Sequence, residues 1–189
     1  MWEKYFEAQL KRKVYAQVIR AISLRKNKQN ALDLGSGNFI ESNYLADYFK
    51  EVQAVDNFVN PANYPRKDNV IFSKKYFKDI NFPEKYFDLI IAQYSLPFYG
   101  KEEFDKFFKS IISWLNTGGI IAGQFFGEKD GWNTLKSKLI FHNKKQVLDL
   151  LKNLEIIEFI EINEKNTTEL GELKHWHRFD FIARKKIKV

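Results

Sequence analysis

Apolar residues recur every fourth position at the start of the chain, at Trp2, Phe6, Leu10, Val14, Val18 and Ile22, with Tyr5, Tyr15 and Ile19 widening the stripe. Residues four apart share one face of a 3.6-residue helix, so residues 1–27 are expected to form one amphipathic helix packed on or over the rest of the fold. After the polar break at 26–30 the pattern changes to a short apolar run at 31–34, ending in Gly35 and Gly37. Helical spacing then resumes through Ile40, Tyr44, Leu45, Tyr48 and Phe49. This predicts strand, glycine turn and helix. Residues 52–55 read as a second buried strand stopped by Asp56 and Asn57, 61–68 as loop by their prolines and asparagines, and 70–72 as a third strand.

Residues 87–92 form an apolar run of the length expected for a strand buried on both faces of a parallel sheet. Phe104, Phe107, Phe108, Ile111, Ile112 and Leu115 follow helical spacing, and Gly118-Gly119 is expected to stop that helix before a fifth strand at 120–126. Asn143 with Gln146 reads as a capping box opening a helix through Val147, Leu148 and Leu151. Two last strands, 155–162 and 176–184, flank a polar loop at 163–174. Strands alternating with helices imply an α/β doubly wound, mainly parallel seven-stranded sheet with helices on both faces. The last strand, reached without an intervening helix, is expected to enter antiparallel. Neither a repeat nor a linker is visible, so residues 1–189 are read as one domain.

Composition narrows this picture. A chain of 189 residues, 44% of them hydrophobic, is long enough to bury a substantial core. It contains no stretch of about 18 apolar residues, and residues 1–10 lack the apolar core of a signal peptide, so a cytoplasmic protein with no membrane partner is expected. The lack of cysteine removes disulfides, thiolate zinc sites and a cysteine nucleophile. The net charge of +7 invites nucleic acid as a partner. However, the 31 basic residues comprise 25 lysines and only 6 arginines, spread over 11–13, 74–78, 144–145 and 184–188. That distribution favours a solvated basic surface over a phosphate-reading footprint.

In such sheets ligands sit beyond the carboxyl ends of the strands, so the residues that follow each strand carry the chemistry. The first set is Asp33, Gly35, Ser36 and Gly37, where glycines let a ligand approach the backbone, the following helix start favours a carboxylate, and Asp33 offers charge to an ammonium. The second is Asp56 with Asn57; Asp56 lies 21 residues beyond Gly35, placed for both hydroxyls of a ribose. The third is Asp79 with the backbone of Ile80, a carboxylate and an N–H that suit the exocyclic amine and ring nitrogen of adenine. The fourth begins at Gln93-Tyr94, directly after the 87–92 run, bordering both a cofactor and an acceptor.

At these residues the chain resembles the class I S-adenosylmethionine-dependent methyltransferases: Ala31-Leu-Asp-Leu-Gly-Ser-Gly37, Val52-Gln-Ala-Val-Asp56, Phe87-Asp-Leu-Ile-Ile-Ala-Gln93 and Leu115-Asn-Thr-Gly-Gly-Ile120 stand in the family's order. The stretches 126–132 and 174–179 resemble a small-domain subgroup of tellurite-resistance type. The resemblance implies S-adenosylmethionine as cofactor, with Asp33 and the glycine turn at its methionine end, Asp56 on the ribose, and Asp79 with Ile80 at the adenine. Phe39 stands where the family's third glycine usually lies, so its ring is expected either to pack beneath the helix or to narrow the methionine pocket.

Rival readings were weighed on the same residues. A nicotinamide-binding turn needs Gly or Ala three residues after the second glycine, and Ile40 stands there. His175 and His177, two apart on a strand, share a face opposite Trp176, but no third ligand accompanies them and no metal site is expected. Tyr94, Asp130, His175 and His177 are the candidates for an acceptor-side base, with Asp130 and Trp132 at the pocket rim. The function expected is methyl transfer by in-line displacement to a small-molecule acceptor. The alternatives are an RNA methyltransferase, or a non-catalytic protein that keeps the fold to bind another chain. The oligomeric state is left open.

Overall fold

The computed structural model describes residues 2–134 and 136–187; Met1, Leu135, Lys188 and Val189, which include the end of the last basic cluster, lie outside the described residues, as does the side chain of Trp2. Strands β1 (Asn30–Leu34), β2 (Glu51–Asp56), β3 (Val70–Lys74), β4 (Phe87–Ala92) and β5 (Leu115–Gly127) run parallel. A two-residue strand, β6 (Phe141–His142), pairs with the end of β5, and a long hairpin of β7 (Leu154–Thr167) and β8 (Leu173–Lys185) completes the sheet. The spatial order is β3-β2-β1-β4-β5-β8-β7, with β8 antiparallel to both of its neighbours. The fold is therefore the expected doubly wound sheet with an antiparallel last strand. Its order reverses between β1 and β4, and the crevice for a ligand opens at the carboxyl ends of those two strands.

Side-chain alternation along each strand divides the core in two. Ala31, Leu89, Ile91 and Ala122 pack with helices α2 (Ala16–Ser23) and α3 (Ile40–Leu45). Leu32, Leu34, Ile90 and Ile121 pack on the other face with α4 (Phe104–Trp114) and α5 (Lys144–Leu151). The capping box opens α5 as expected: Asn143 accepts from the Gln146 N–H and the Gln146 side chain accepts from the Asn143 N–H.

Four local expectations are corrected. The first helix is broken into α1 (Trp2–Ala8) and α2, because Arg12 leaves helical register to meet the buried Glu41, with two N–O distances of 2.5 and 2.6 Å. Pairing a buried carboxylate outweighs the modest gain of continuing a helix through 9–15. The helix after the glycine turn ends at Leu45 rather than reaching Phe49. Helix α4 ends at Trp114, and Gly118-Gly119 instead lie in the irregular start of β5, where the register with β4 shifts. Finally, the expected loop at 163–174 shrinks to the tip 168–172, because polar residues 163–167 pair with 173–177 and satisfy their backbone groups in the ladder.

Candidate active site

A cavity of about 640 Å³ opens at the switch point. One part of its wall is the turn after β1, together with the ends of β2 and β4: Asp33, Gly35, Ser36, Gly37, Asp56, Asn57, Gln93 and Tyr94. The glycines are needed for specific reasons. Gly35 has φ +80° and a Cβ built on it would collide with Ser95 Cβ, while Gly37 has φ +49° and lies against the Phe6 ring. The turn is tied down by its own chain, since the N–H groups of Gly35 and Ser36 both donate to the Val55 carbonyl (2.8 and 3.1 Å) and the Gly37 N–H donates to Asp56 Oδ2 (3.1 Å). Asp56 Oδ1 also accepts from the N–H groups of Phe58 and Val59. Those amides are thus spent holding β2 to the turn. With α3 only six residues long, the polar groups left for a ligand are chiefly side chains.

Two of these side chains are distinctive. The Ser36 hydroxyl is buried yet has no hydrogen-bond partner among the described residues, which costs about 1–3 kcal/mol unless a ligand satisfies it. Asp33 is fully buried and accepts one hydrogen bond, from Ser42 Oγ (2.6 Å). Burial pushes its carboxyl up to about 7, against the lowering effect of Ser42, and the nearby carboxylates of Glu41 and Asp56 raise it further. A cation brought beside Asp33 would reverse that shift.

Phe39 departs from the usual glycine without closing the cavity. It takes the left-handed conformation (φ 65°), its ring is fully buried beneath α3, and it meets Phe72 edge-on at 5.1 Å. Of the two outcomes expected for this ring, packing beneath the helix is the one observed.

The remainder of the wall is aromatic. Phe98, Tyr99, Phe126, Trp132 and Trp176 line it, closed from above by Tyr5, Phe6 and Tyr15 and at the rim by Thr168, Leu170 and Glu172 of the hairpin tip. The amino-terminal segment is clamped there by the Asn38 amide donating to the Phe6 carbonyl (2.9 Å) and by the Arg12–Glu41 pair, with the guanidinium 4.0 Å over the Tyr15 ring. Gln93 sits in a network with Gln17 and Gln124 (2.7–3.1 Å), which fixes the end of β4 and, through Gln124 Oε1, the Tyr94 N–H. Burial raises the phenols of Tyr5, to about 12, and of Tyr94, so both stay neutral and serve as donors and walls rather than as bases.

Five of the residues expected at the site do not line the cavity. Asp79 ends the short turn Phe77–Asp79 with its side chain exposed, and Ile80 packs against the core; Tyr76, Phe77 and Lys78 face the cavity in their place. Asp130 is buried in a structural cluster, accepting from Lys174 Nζ (2.7 Å), His177 N and Trp132 N. His177 Nδ1 accepts from the Lys129 N–H, leaving its Nε2 to donate toward Glu161, and His175 bonds Asn163. Strand alternation explains these placements, since Trp176, between the two histidines, is the one turned inward. Among the described residues no group of three or more His, Asp or Glu is placed to hold a metal, and no helix is long and apolar enough to cross a membrane. The residues missed from sequence, Tyr5, Arg12, Tyr15 and the hairpin tip, reach the site only through tertiary packing.

A methyltransferase-domain family model matches residues 32–123, spanning β1 to β5. TehB from Haemophilus influenzae superposes with a TM-score of 0.75 at 20% identity, covering 98% of this chain and 67% of that one. The chain thus carries a methyltransferase-domain match from β1 to β5 and shares the fold of TehB. The N-methyltransferase NodS from Bradyrhizobium japonicum in complex with S-adenosylhomocysteine has the same fold, with a TM-score of 0.70 at 14% identity over 97% of this chain and 96% of that one. Phosphoethanolamine N-methyltransferase from Plasmodium falciparum is 25% identical over 171 residues, 86% of this chain, which spans 63% of that relative's length. The group bound in the NodS structure is S-adenosylhomocysteine. The Ser36 hydroxyl, unpartnered among the described residues, and the two buried carboxylates fit such a group.

Proposed function

We propose that this chain transfers a methyl group by in-line displacement to a small-molecule acceptor held against the aromatic wall. The observation that carries the reading is the convergence of Asp33, Ser36 and Asp56 on one side of a single cavity whose other side is walled by Trp132, Trp176 and Phe126. On this reading Ser36 and Asp33 hold the methionine end of the cofactor, the carboxylate of Asp33 facing its ammonium. Asp56 Oδ2 takes the ribose beside the Gly37 N–H, and Phe77 and Lys78, rather than Asp79 and Ile80, border the base. When bound, S-adenosylmethionine supplies an activated sulfonium methyl; the chain supplies alignment and exclusion of water, and effective molarity of this kind contributes about 7 kcal/mol or more. No dedicated base is required of Asp130, His175 or His177. The relatives named above that act on nitrogen support a small acceptor.

Titration calorimetry with S-adenosylmethionine and S-adenosylhomocysteine tests the reading. Wild type binds both; Asp56→Asn, whose melting curve is recorded alongside, binds about ten- to a hundredfold more weakly, as loss of a charged hydrogen bond worth about 1.5–3 kcal/mol predicts. Unchanged affinity in a folded variant removes the ribose assignment, and no binding by wild type removes the function.

A further inference from the structure

The main cavity continues into a second one of about 230 Å³ that shares Tyr5, Tyr15, Tyr94 and Trp176 with it and opens beneath the β7–β8 hairpin tip. The floor of this antechamber is aromatic and its outer rim is acidic. Glu164 and Glu169 line it, and Glu172 faces the main cavity from the same tip. Glu164 pairs in register with Trp176, so the carboxylate and the indole project from the same face of the hairpin.

The charges here are unevenly matched. Arg12 and Arg178 face the same space, but each is already held by its own carboxylate, Arg12 by Glu41 at 2.5 Å and Arg178 by Asp180 at 2.9 Å. Among the described residues, Glu164, Glu169 and Glu172 have no ion-pair partner within 4.0 Å. The entrance to the cavity of this +7 chain therefore carries three carboxylates without a direct ion pair, Glu169 and Glu164 acting on Arg12 and Arg178 only at longer range. An anionic acceptor would meet repulsion there, and a nucleic-acid backbone more so. The buried, unpartnered Ser36 hydroxyl in the connected cavity is an independent sign that the space is built for ligands.

The same walls already demonstrate what they hold. The Lys174 ammonium lies 3.4 Å from the Trp176 ring centroid, 4.0 Å from Trp132 and 4.9 Å from Phe126, with Asp130 Oδ2 at 2.7 Å. Aromatic faces and one carboxylate offset part of the burial of this ammonium, which desolvation still holds below the usual lysine range, and the cavity presents further aromatic faces with carboxylates at its rim.

Resting on the methyltransferase reading above, we infer that the acceptor is a small amine with an apolar or aromatic body. It is drawn in as its ammonium by Glu164 and Glu169 and seated with the nitrogen among Tyr5, Tyr15 and Tyr94. The ammonium gives its proton to water at the open mouth before the reaction. The nitrogen lone pair then forms the new bond to the methyl carbon, the carbon–sulfur bond breaks and its electron pair stays on sulfur, leaving a neutral thioether. The amine, one methyl heavier, carries the positive charge away as an ammonium. The neutral tyrosine phenols can orient the lone pair without taking a proton from it.

The test uses 2-phenylethylamine with two near-isosteres, 2-phenylethanethiol and 3-phenylpropionate, on the full chain. Binding of each is measured calorimetrically in the presence of S-adenosylhomocysteine, and methylation by mass spectrometry. The expected result is binding and methylation of the amine alone. In the double variant Glu164→Gln/Glu169→Gln, at exposed positions of the hairpin, amine binding should weaken about tenfold while S-adenosylhomocysteine affinity stays unchanged. Methylation of the thiol or the carboxylate but not the amine, methylation of none of the three, or unweakened amine binding in the double variant overturns the amine assignment and leaves the cofactor reading standing. Failure of wild type to bind S-adenosylmethionine or S-adenosylhomocysteine overturns both.

Discussion

The two sides of the cavity are built on opposite principles. On the β1–β2 side the polar backbone is consumed by the protein itself: the Gly35 and Ser36 amides are taken by the Val55 carbonyl, the Gly37 amide by Asp56 Oδ2 and the Phe58 and Val59 amides by Asp56 Oδ1, and a buried ring at Phe39 props the helix from below. On the β7–β8 side the walls are side chains from three distant parts of the chain, and the carboxylates of the tip have no ion-pair partner among the described residues. The first arrangement fixes a cofactor in one place, because the backbone of the turn is already anchored and only the Ser36 hydroxyl is left to donate. The second tolerates change in what it holds, because recognition rests on individual side chains above a ladder of backbone bonds that does not depend on them.

Perturbing each side in turn sharpens that contrast. The largest effect is expected from Phe39→Ala, which empties the site beneath α3 and should cost about 3–5 kcal/mol in a urea melt, the left-handed strain being unchanged because alanine keeps the Cβ. A loss under 1 kcal/mol would mean that the ring is not the prop. Gly35→Ala comes next: left-handed strain of about 1–2 kcal/mol adds to overpacking of about 1–3 kcal/mol against Ser95, and cofactor affinity should fall with stability.

A third effect, about tenfold, concerns pH. With the Asp33 carboxyl at about 7 in the free protein, binding a ligand ammonium requires its ionised form, so S-adenosylmethionine affinity should climb roughly tenfold from pH 6 to pH 8 with proton release. Asp33→Asn should flatten the profile. The same raised carboxyl makes the free fold bind more protons than the unfolded chain between about pH 4 and 7. Its contribution to stability is therefore present at low pH and lost as pH rises through 7. The smallest effects compare neighbours on β8. Trp176→Ala should raise the acceptor KM about tenfold without altering S-adenosylhomocysteine affinity, whereas His175→Ala should leave both within twofold and stability within about 0.5 kcal/mol. Equal effects at the two positions would erase the distinction between wall and outer face.

The same contrast governs what could be read from the amino acids alone. Asp33, Gly35 and Asp56 are local signals, each tied to a strand end by a few residues of sequence, and the structure brings them together as expected. Strand alternation likewise placed Trp176 opposite His175 and His177, although which face turned inward depended on how β8 docks on β5. Asp79 was misplaced because a single short turn swings Phe77 and Lys78, rather than the acid, toward the cavity. The break in the first helix escaped detection because its cause, Glu41, lies 29 residues away. The hairpin's extension through a polar stretch escaped too, since ladder hydrogen bonds are indifferent to side-chain polarity on a solvated face.

The position of β8 within the sheet has a consequence for synthesis. It lies between β5 and β7, both of which precede it in the chain, so β7 has no strand to join and β5 keeps a bare edge until β8 has emerged from the ribosome. Trp176 and Lys174 arrive on that same strand. A nascent chain halted before Leu173 would therefore carry every residue of the methyltransferase-domain match while lacking Trp176 on the far wall of the cavity and the Lys174 ammonium beside it, and its exposed edges would be open to pairing with other chains.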